Sequence, residues 1–221
     1  IFIKVIPTFK DMFLSLQIDL PLPTQLVIKI SDSIRSFYMY IIGVIAVLFV
    51  VVRLYIRSEI GRQNFDRLCL KLPIFGNILI KVVIARFART LSTLVKSGIS
   101  IINGLDIVAK TSGNLVVEKA LVNTRGRVSR GEKIGESLKA SGKDIFAPLV
   151  VDMITVGEET GNISPMLEKI ADFYEAEADA AIGALMGLIE PLLIIFLGGV
   201  VAMIALSMFL PILEIIKKLG H

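Results

Sequence analysis

A chain of 221 residues with 54% hydrophobic side chains, 20% charged ones and a positive mean hydropathy is too apolar for an ordinary soluble domain and too charged for a bundle lying wholly in lipid. The single cysteine, Cys69, excludes an internal disulfide, and with one terminal histidine, His221, the chain lacks the parts for thiol, serine–histidine or zinc chemistry. The net charge of +4 is unevenly spread: nine Lys/Arg lie between 53 and 96 against Glu59 and Asp66, and nine acids lie between 152 and 190 against Lys169 alone.

In chain order, residues 1–6 read as the remnant of an earlier span that stops at Pro7. With no initiator Met and no cleavable leader, the chain reads as a piece or a processed product. Residues 7–36 are expected to be periplasmic connecting helices. Phe9, Met12, Phe13 and Leu16 give an amphipathic helix over Thr8–Leu16, and Thr24 caps a second one after the PLPT break. Residues 37–56 are a transmembrane helix: Phe37–Val52 holds 16 uncharged residues, and Arg53 extends it by snorkelling. Tyr38, Tyr40 and Tyr55 bracket it at the interfaces.

Five basic residues, Arg53, Arg57, Arg62, Arg67 and Lys71, follow this span, against Lys29 and Arg35 before it. The positive-inside rule then places the following segment in the cytoplasm. Lys217 and Lys218 after the last apolar stretch point the other way, and five charges outweigh two.

Helical periodicity with short breaks and no strand pattern marks residues 57–180 as a cytoplasmic helical bundle domain. Ile78–Lys96 is its first helix, with Val83, Phe87, Leu91 and Leu94/Val95 on one stripe, ended by Gly98. Ser100 caps Ile101–Thr111, and Gly113 separates that helix from Asn114–Arg130. Gly131 and Gly135 punctuate a shorter helix reaching Ala140; Pro148–Thr160 is the fifth helix, and Gly161 leads to the sixth. Ser164 and Pro165 suit the start of that sixth helix.

The sixth helix runs without an obvious break into residues 181–213, the second transmembrane helix, leaving 214–221 as a periplasmic tail. Pro191–Leu213 gives 23 residues without a charge. At about 1.5 Å per residue this spans a hydrocarbon core about 30 Å thick. The fold expected is an all-α membrane protein: a cytoplasmic antiparallel six-helix bundle between two transmembrane helices, its last helix continuous with the final span.

Candidate interaction residues follow from charge and from the turns. Arg86 and Arg89 lie three apart on the basic first helix; Glu158, Glu159 and Glu175, with the glycines Gly157 and Gly161 of the acidic turn, supply the opposite sign. Within the last helix, Gly183 and Gly187 sit one turn apart ahead of Glu190 and Pro191. The glycines permit close helix approach, the proline a bend, and a glutamate at that depth needs protein contact, a hydrogen bond or a proton.

Enzymatic chemistry is not visible. The only Gly-Lys pair, Gly142-Lys143, lacks the surroundings of a phosphate loop. The acidic runs read as solvated or paired faces, with a bound divalent cation as the lesser alternative. The basic stretch has no interleaved aromatic platform, so no nucleic acid, cofactor or metal is expected.

The segments ARFARTLSTLVKSG (85–98), MITVGEETGNI (153–163), KIADFYEAEAD (169–179) and IEPLLI (189–194) resemble the inner-membrane platform family of type II secretion and type IV pilus assembly. VIPTF (5–9) and LPLPT (20–24) are similar to the stretch between that family's first two spans. The resemblance implies a non-enzymatic, multi-pass protein of the bacterial inner membrane. It would couple a cytoplasmic hexameric ATPase to the extraction of pilins or pseudopilins into a filament. Its partners would be other inner-membrane assembly components, membrane lipid and further copies of itself in a homo-oligomer. It also implies a first cytoplasmic helical domain and a complete first span that this sequence does not include. The alternative reading is a transporter or permease subunit with Glu190 beside the pathway.

Overall fold

The computed structural model describes the backbone of residues 22–219. The expected remnant at 1–6 and the helix at Thr8–Leu16 lie outside the described residues. Eight α-helices and no strand occur among the described residues: α1 (Leu22–Arg57), α2 (Glu59–Lys71), α3 (Phe75–Lys96), α4 (Ile101–Thr111), α5 (Leu115–Val128), α6 (Ile134–Ser141), α7 (Pro148–Glu159) and α8 (Ile163–Leu219). By contact density the chain divides into two compact units, one over Leu54–Met186 and the other made from the chain on either side of it.

Local sequence sets half of the helix starts. The Ser58 hydroxyl accepts from the Gly61 N–H at 3.1 Å, Ser100 caps α4 through the Asn103 N–H, and Asn114 Oδ1 accepts from the N–H groups of Val116 and Val117. Pro148 opens α7 where its missing N–H costs nothing. The chain reverses at Gly98, Gly113, Gly131 and Gly161, all with positive φ.

Three boundaries differ from the sequence pattern. Helix α1 starts at Leu22, so Thr24 lies inside it and the second connecting helix and the first expected span are one element. Pro23 does not block this, because the first turn of a helix needs no N–H partners within the helix. Helix α8 starts at Ile163, so Ser164 is not its cap, and it stays helical to Leu219, through most of the expected tail. The unit Leu54–Met186 also holds a helix the pattern did not show, α2, from which the chain turns by 105° into α3.

The core of this unit is apolar and continuous. Val83, Phe87 and Leu91 of α3 are buried, joined by Leu105 of α4, Leu121 of α5, Leu138 of α6, Ile154 of α7, and Leu167 and Ile170 of α8. Burying one such side chain contributes about 1.5–3 kcal/mol. Phe87 meets Phe146 with ring centroids 5.3 Å apart and planes tilted by 58°. Helices α4 to α7 pack each on the next, α3 packs on α2 and α4, and α2 also touches α5.

The other unit presents apolar side chains outward. In α1, Phe37, Val44, Leu48 and Val51 are exposed, and in α8 so are Leu188, Leu192, Ile195 and Phe196. Helix α8 is long and apolar enough to cross a membrane, and none of its most apolar stretch is buried.

Candidate functional site

The charged segments at the two ends of the Leu54–Met186 unit meet along one seam. Lys96 Nζ lies 2.6 Å from Glu168, Arg89 binds both Asp172 and Glu175, and Lys81 Nζ lies 2.8 Å from Glu177. Numbers fall along α3 as they rise along α8, so the two helices run antiparallel. At the start of α8 the Ser92 hydroxyl donates to the Ser164 carbonyl at 3.1 Å, a partly buried polar contact at one end of the seam. Ser164 is thus spent on a neighbouring helix instead of its own start.

Electrostatics follow this geometry. Hydrogen bonds to Glu175 and then Asp172 hold the Arg89 guanidinium above its ordinary value. The Glu175 carboxyl is held below its own ordinary value, first by its hydrogen bond from Arg89. Burial raises the Tyr174 phenol beside the seam. Arg86 is exposed and takes part in no ion pair among the described residues; it lies near Gly113, where an added Cβ would sit 3.6 Å from its Nη1. Three residues fall about 60° short of a full helical turn, which carries Arg86 off the seam that Arg89 occupies.

Glu158 and Glu159 face elsewhere. They end α7 and reach the start of α6, where Glu158 Oε2 accepts from the Ile134 N–H at 2.8 Å and Glu159 pairs with Lys133 at 3.0 Å. The hydrogen bond to Glu159 raises the Lys133 ammonium above its ordinary value. Helix α6 has no capping side chain of its own, so α7 supplies one across the fold. Gly157 makes room for the turn: a Cβ there would lie 3.1 Å from both Ile163 Cα and Met166 Cγ. Gly161, with φ +73°, takes the left-handed conformation that joins α7 to α8. The structure therefore brings Arg89 and Glu175 together, keeps Arg86 apart, and builds Glu158, Glu159, Gly157 and Gly161 into a separate corner with Lys133.

Lower on α8, Gly183 and Gly187 border open space, and Glu190 is exposed beside Pro191, through which the helix continues. Sequence reasoning missed Lys81, Lys96, Glu168, Asp172 and Glu177. Part of their signal was present: Arg89 and Lys96 lie seven apart, and Glu168, Asp172 and Glu175 four and three apart, each set close to one helical stripe, whereas Lys81 and Glu177 lie off those stripes. Among the described residues no group of His, Cys, Asp or Glu is placed to hold a metal ion.

Comparison with known proteins gives a consistent result. The sequence profile of the family described as Type II secretion system (T2SS), protein F matches residues 87–211. The chain is 41% identical over 213 residues to "Type IV pilus assembly protein PilC" of Myxococcus xanthus, covering 96% of this chain and 51% of that protein. It is likewise 41% identical over 216 residues to the protein of the same name from Thermus thermophilus, covering 98% and 53%. To "Type II secretion system protein F" of Pseudomonas aeruginosa it is 32% identical over 221 residues, covering 98% and 53%. The chain spans about half the length of these curated relatives.

Proposed function

The chain belongs to the type II secretion system protein F family, and from this premise we propose that it is an inner-membrane platform for assembling secretion pseudopili or type IV pili. In this reading it is a non-enzymatic coupler between a cytoplasmic hexameric ATPase and pilins or pseudopilins held in the bilayer. It crosses the membrane at 37–56 and 181–213 and holds residues 57–180 in the cytoplasm as a helical bundle, with the segment before 37 and the tail after 213 in the periplasm.

Helix α8 carries the proposal. Its first turns are fastened to α3 by ion pairs and buried apolar residues, and the same element continues as an exposed apolar helix. A force applied to the charged unit then has a continuous element through which to reach lipid. Arg86 and, separately, the Glu158, Glu159 and Lys133 corner are the surfaces offered to the ATPase or to another copy. Gly183, Gly187, Glu190 and Pro191 form the intramembrane contact and hinge. Glu190 is exposed in the single chain, and a charged carboxylate deep in lipid costs about 3 kcal/mol, less near the interface, so it takes a protein contact, a hydrogen bond or a proton there.

The test is biochemical and cellular. The protein should co-purify from bacterial membranes with a hexameric ATPase and pilin-like proteins, and disrupting its gene should abolish filaments or secretion. Its native Cys69, half-buried, should react with an impermeant maleimide in inside-out vesicles only. Intact filament and secretion output after disruption would overturn the assignment, and labelling confined to spheroplasts would overturn the orientation.

A further inference from the structure

Helix α2 is amphipathic in the reverse of the usual sense. A helix on a protein surface normally turns its apolar stripe inward and its polar face to water. The face that α2 lays on the rest of the unit is largely polar, with Cys69 and Leu70 half-buried beside the polar contacts. Asp66 Oδ2 accepts from the Leu115 N–H at 2.7 Å, capping α5, the Asp66 carbonyl accepts from Asn114 Nδ2, and Gln63 Oε1 accepts from Lys119 Nζ at 2.7 Å. The opposite face carries Ile60, Phe65 and Leu68, with Ile60 75% and Leu68 61% exposed. At the corner into α3 the chain adds Leu72, Ile74 and Phe75, all exposed. Arg62, Arg67 and Lys71 are also exposed on the same short helix. Turning so many large apolar side chains outward from one short segment requires an apolar surrounding.

We propose that α2 and the Leu72–Phe75 corner lie in the interface of an anionic bilayer leaflet, with Ile60, Phe65 and Leu68 dipped among the acyl chains and the neighbouring arginines and lysine at the headgroups. Two further observations select lipid as the occupant. The chain enters α2 straight from α1, whose residues Ile42 to Val52 are apolar and exposed and whose last turns carry Arg53 and Arg57, so the helix begins where the apolar segment meets its basic boundary. The basic residues also complement anionic headgroups, whereas a second copy apposed through the same face would set Arg62, Arg67 and Lys71 against their own counterparts. Helix α3, the other member of the 105° corner, does not share this role, because its apolar stripe is consumed in the core. The α2 surface would fix the height and tilt of the charged unit at the membrane. This inference rests on the reading of the flanking apolar helices as membrane spans.

The experiment uses the full chain with Cys69→Ser, reconstituted in vesicles of phosphatidylethanolamine and phosphatidylglycerol. Single cysteines at Ile60→Cys, Leu68→Cys, Leu192→Cys and Lys143→Cys carry a nitroxide, and collision rates with dissolved oxygen and with a water-soluble nickel chelate are measured. Labels at 60 and 68 should show an oxygen-to-nickel ratio several-fold above that at 143 and of the kind found at 192. A water-like ratio at 60 and 68 with a lipid-like ratio at 192 would overturn the interfacial placement and leave the membrane reading intact. Shielding of 60 and 68 from both reagents would also overturn it, in favour of a covering protein segment or second copy. A water-like ratio at 192 would remove the membrane reading itself.

Discussion

Arg89 clasps Glu175 through two hydrogen bonds, Nε to Oε1 at 2.9 Å and Nη2 to Oε2 at 2.7 Å, while the same Nη2 reaches Asp172. This is the bidentate geometry that guanidinium offers and lysine cannot copy. Arg89→Glu places three carboxylates at one point of the α3–α8 seam, so the thermal midpoint of the protein in detergent should fall by several degrees. Combining it with Glu175→Arg restores one cation facing two anions and should recover most of the loss. A combined variant no more stable than Arg89→Glu would show that the pairing is not what holds the two helices there.

Acid should loosen the same seam. Glu175 is held below its ordinary value of 4.5 by Arg89, so its contribution is fully present above that value and is lost as pH falls through the lowered value of the folded protein. Protection factors for amide exchange over residues 168–178, with the intrinsic slowing of exchange in acid divided out, should therefore fall in the acid range below the ordinary glutamate value. Arg89→Gln removes the cause of the shift and should make exchange in this segment less dependent on pH there. Equal acid sensitivity in both proteins would place the titrating group elsewhere.

Glu158 is the N-cap of a helix to which it does not belong. Losing it leaves the Ile134 N–H without its partner, so Glu158→Ala should cost about 0.5–2 kcal/mol, the range for lost helix caps. Glu158→Gln keeps an accepting oxygen and should cost less. Glu159→Ala, which removes only an exposed ion pair to Lys133, should cost less than Glu158→Ala. Denaturant midpoints in one detergent order the three variants.

Pro191 separates a hinge from a boundary. In the proposed platform, Pro191→Ala restores the backbone bond to the Gly187 carbonyl and stiffens the helix, so protein should accumulate normally in the membrane while filament output drops strongly. Glu190→Gln should be milder than Glu190→Ala because it keeps hydrogen-bonding capacity. Wild-type filament output from Pro191→Ala at equal expression would reduce the proline to a tolerated residue at the water–lipid boundary.

Periodicity made the core legible. Val83, Phe87 and Leu91 form the stripe expected of α3, and Ser100 caps α4 as expected, whereas Asn114, expected as the first residue of the next helix, is its cap. Helix α2 was not legible because its apolar residues do not point to the core, and a pattern search assumes that they do. The candidate site was legible by charge but not by partner. Opposite signs on the chain's two ends foretold a seam, yet which acid meets Arg89 depends on the axial offset of α8 against α3. That offset is set by Gly157 and the Gly161 turn, where a close approach and a left-handed residue decide how far along α3 the last helix begins. The cap that Glu158 gives to α6 is a tertiary event, 24 residues away in sequence, with no local signature.

The α3–α8 pairs join residues 72 to 96 positions apart, the longest separations among the side-chain hydrogen bonds described above. During synthesis, Phe87, Leu91 and the rest of the α3 stripe must therefore wait, uncovered on one side, until nearly the whole unit has been made. The residue that completes the seam, Glu177, is followed after a dozen positions by Glu190, Pro191 and the apolar stretch. In the proposed platform, closure of the core and delivery of the last helix to the membrane are then neighbouring events on the ribosome, and a delay in either leaves the nascent chain with an open hydrophobic face.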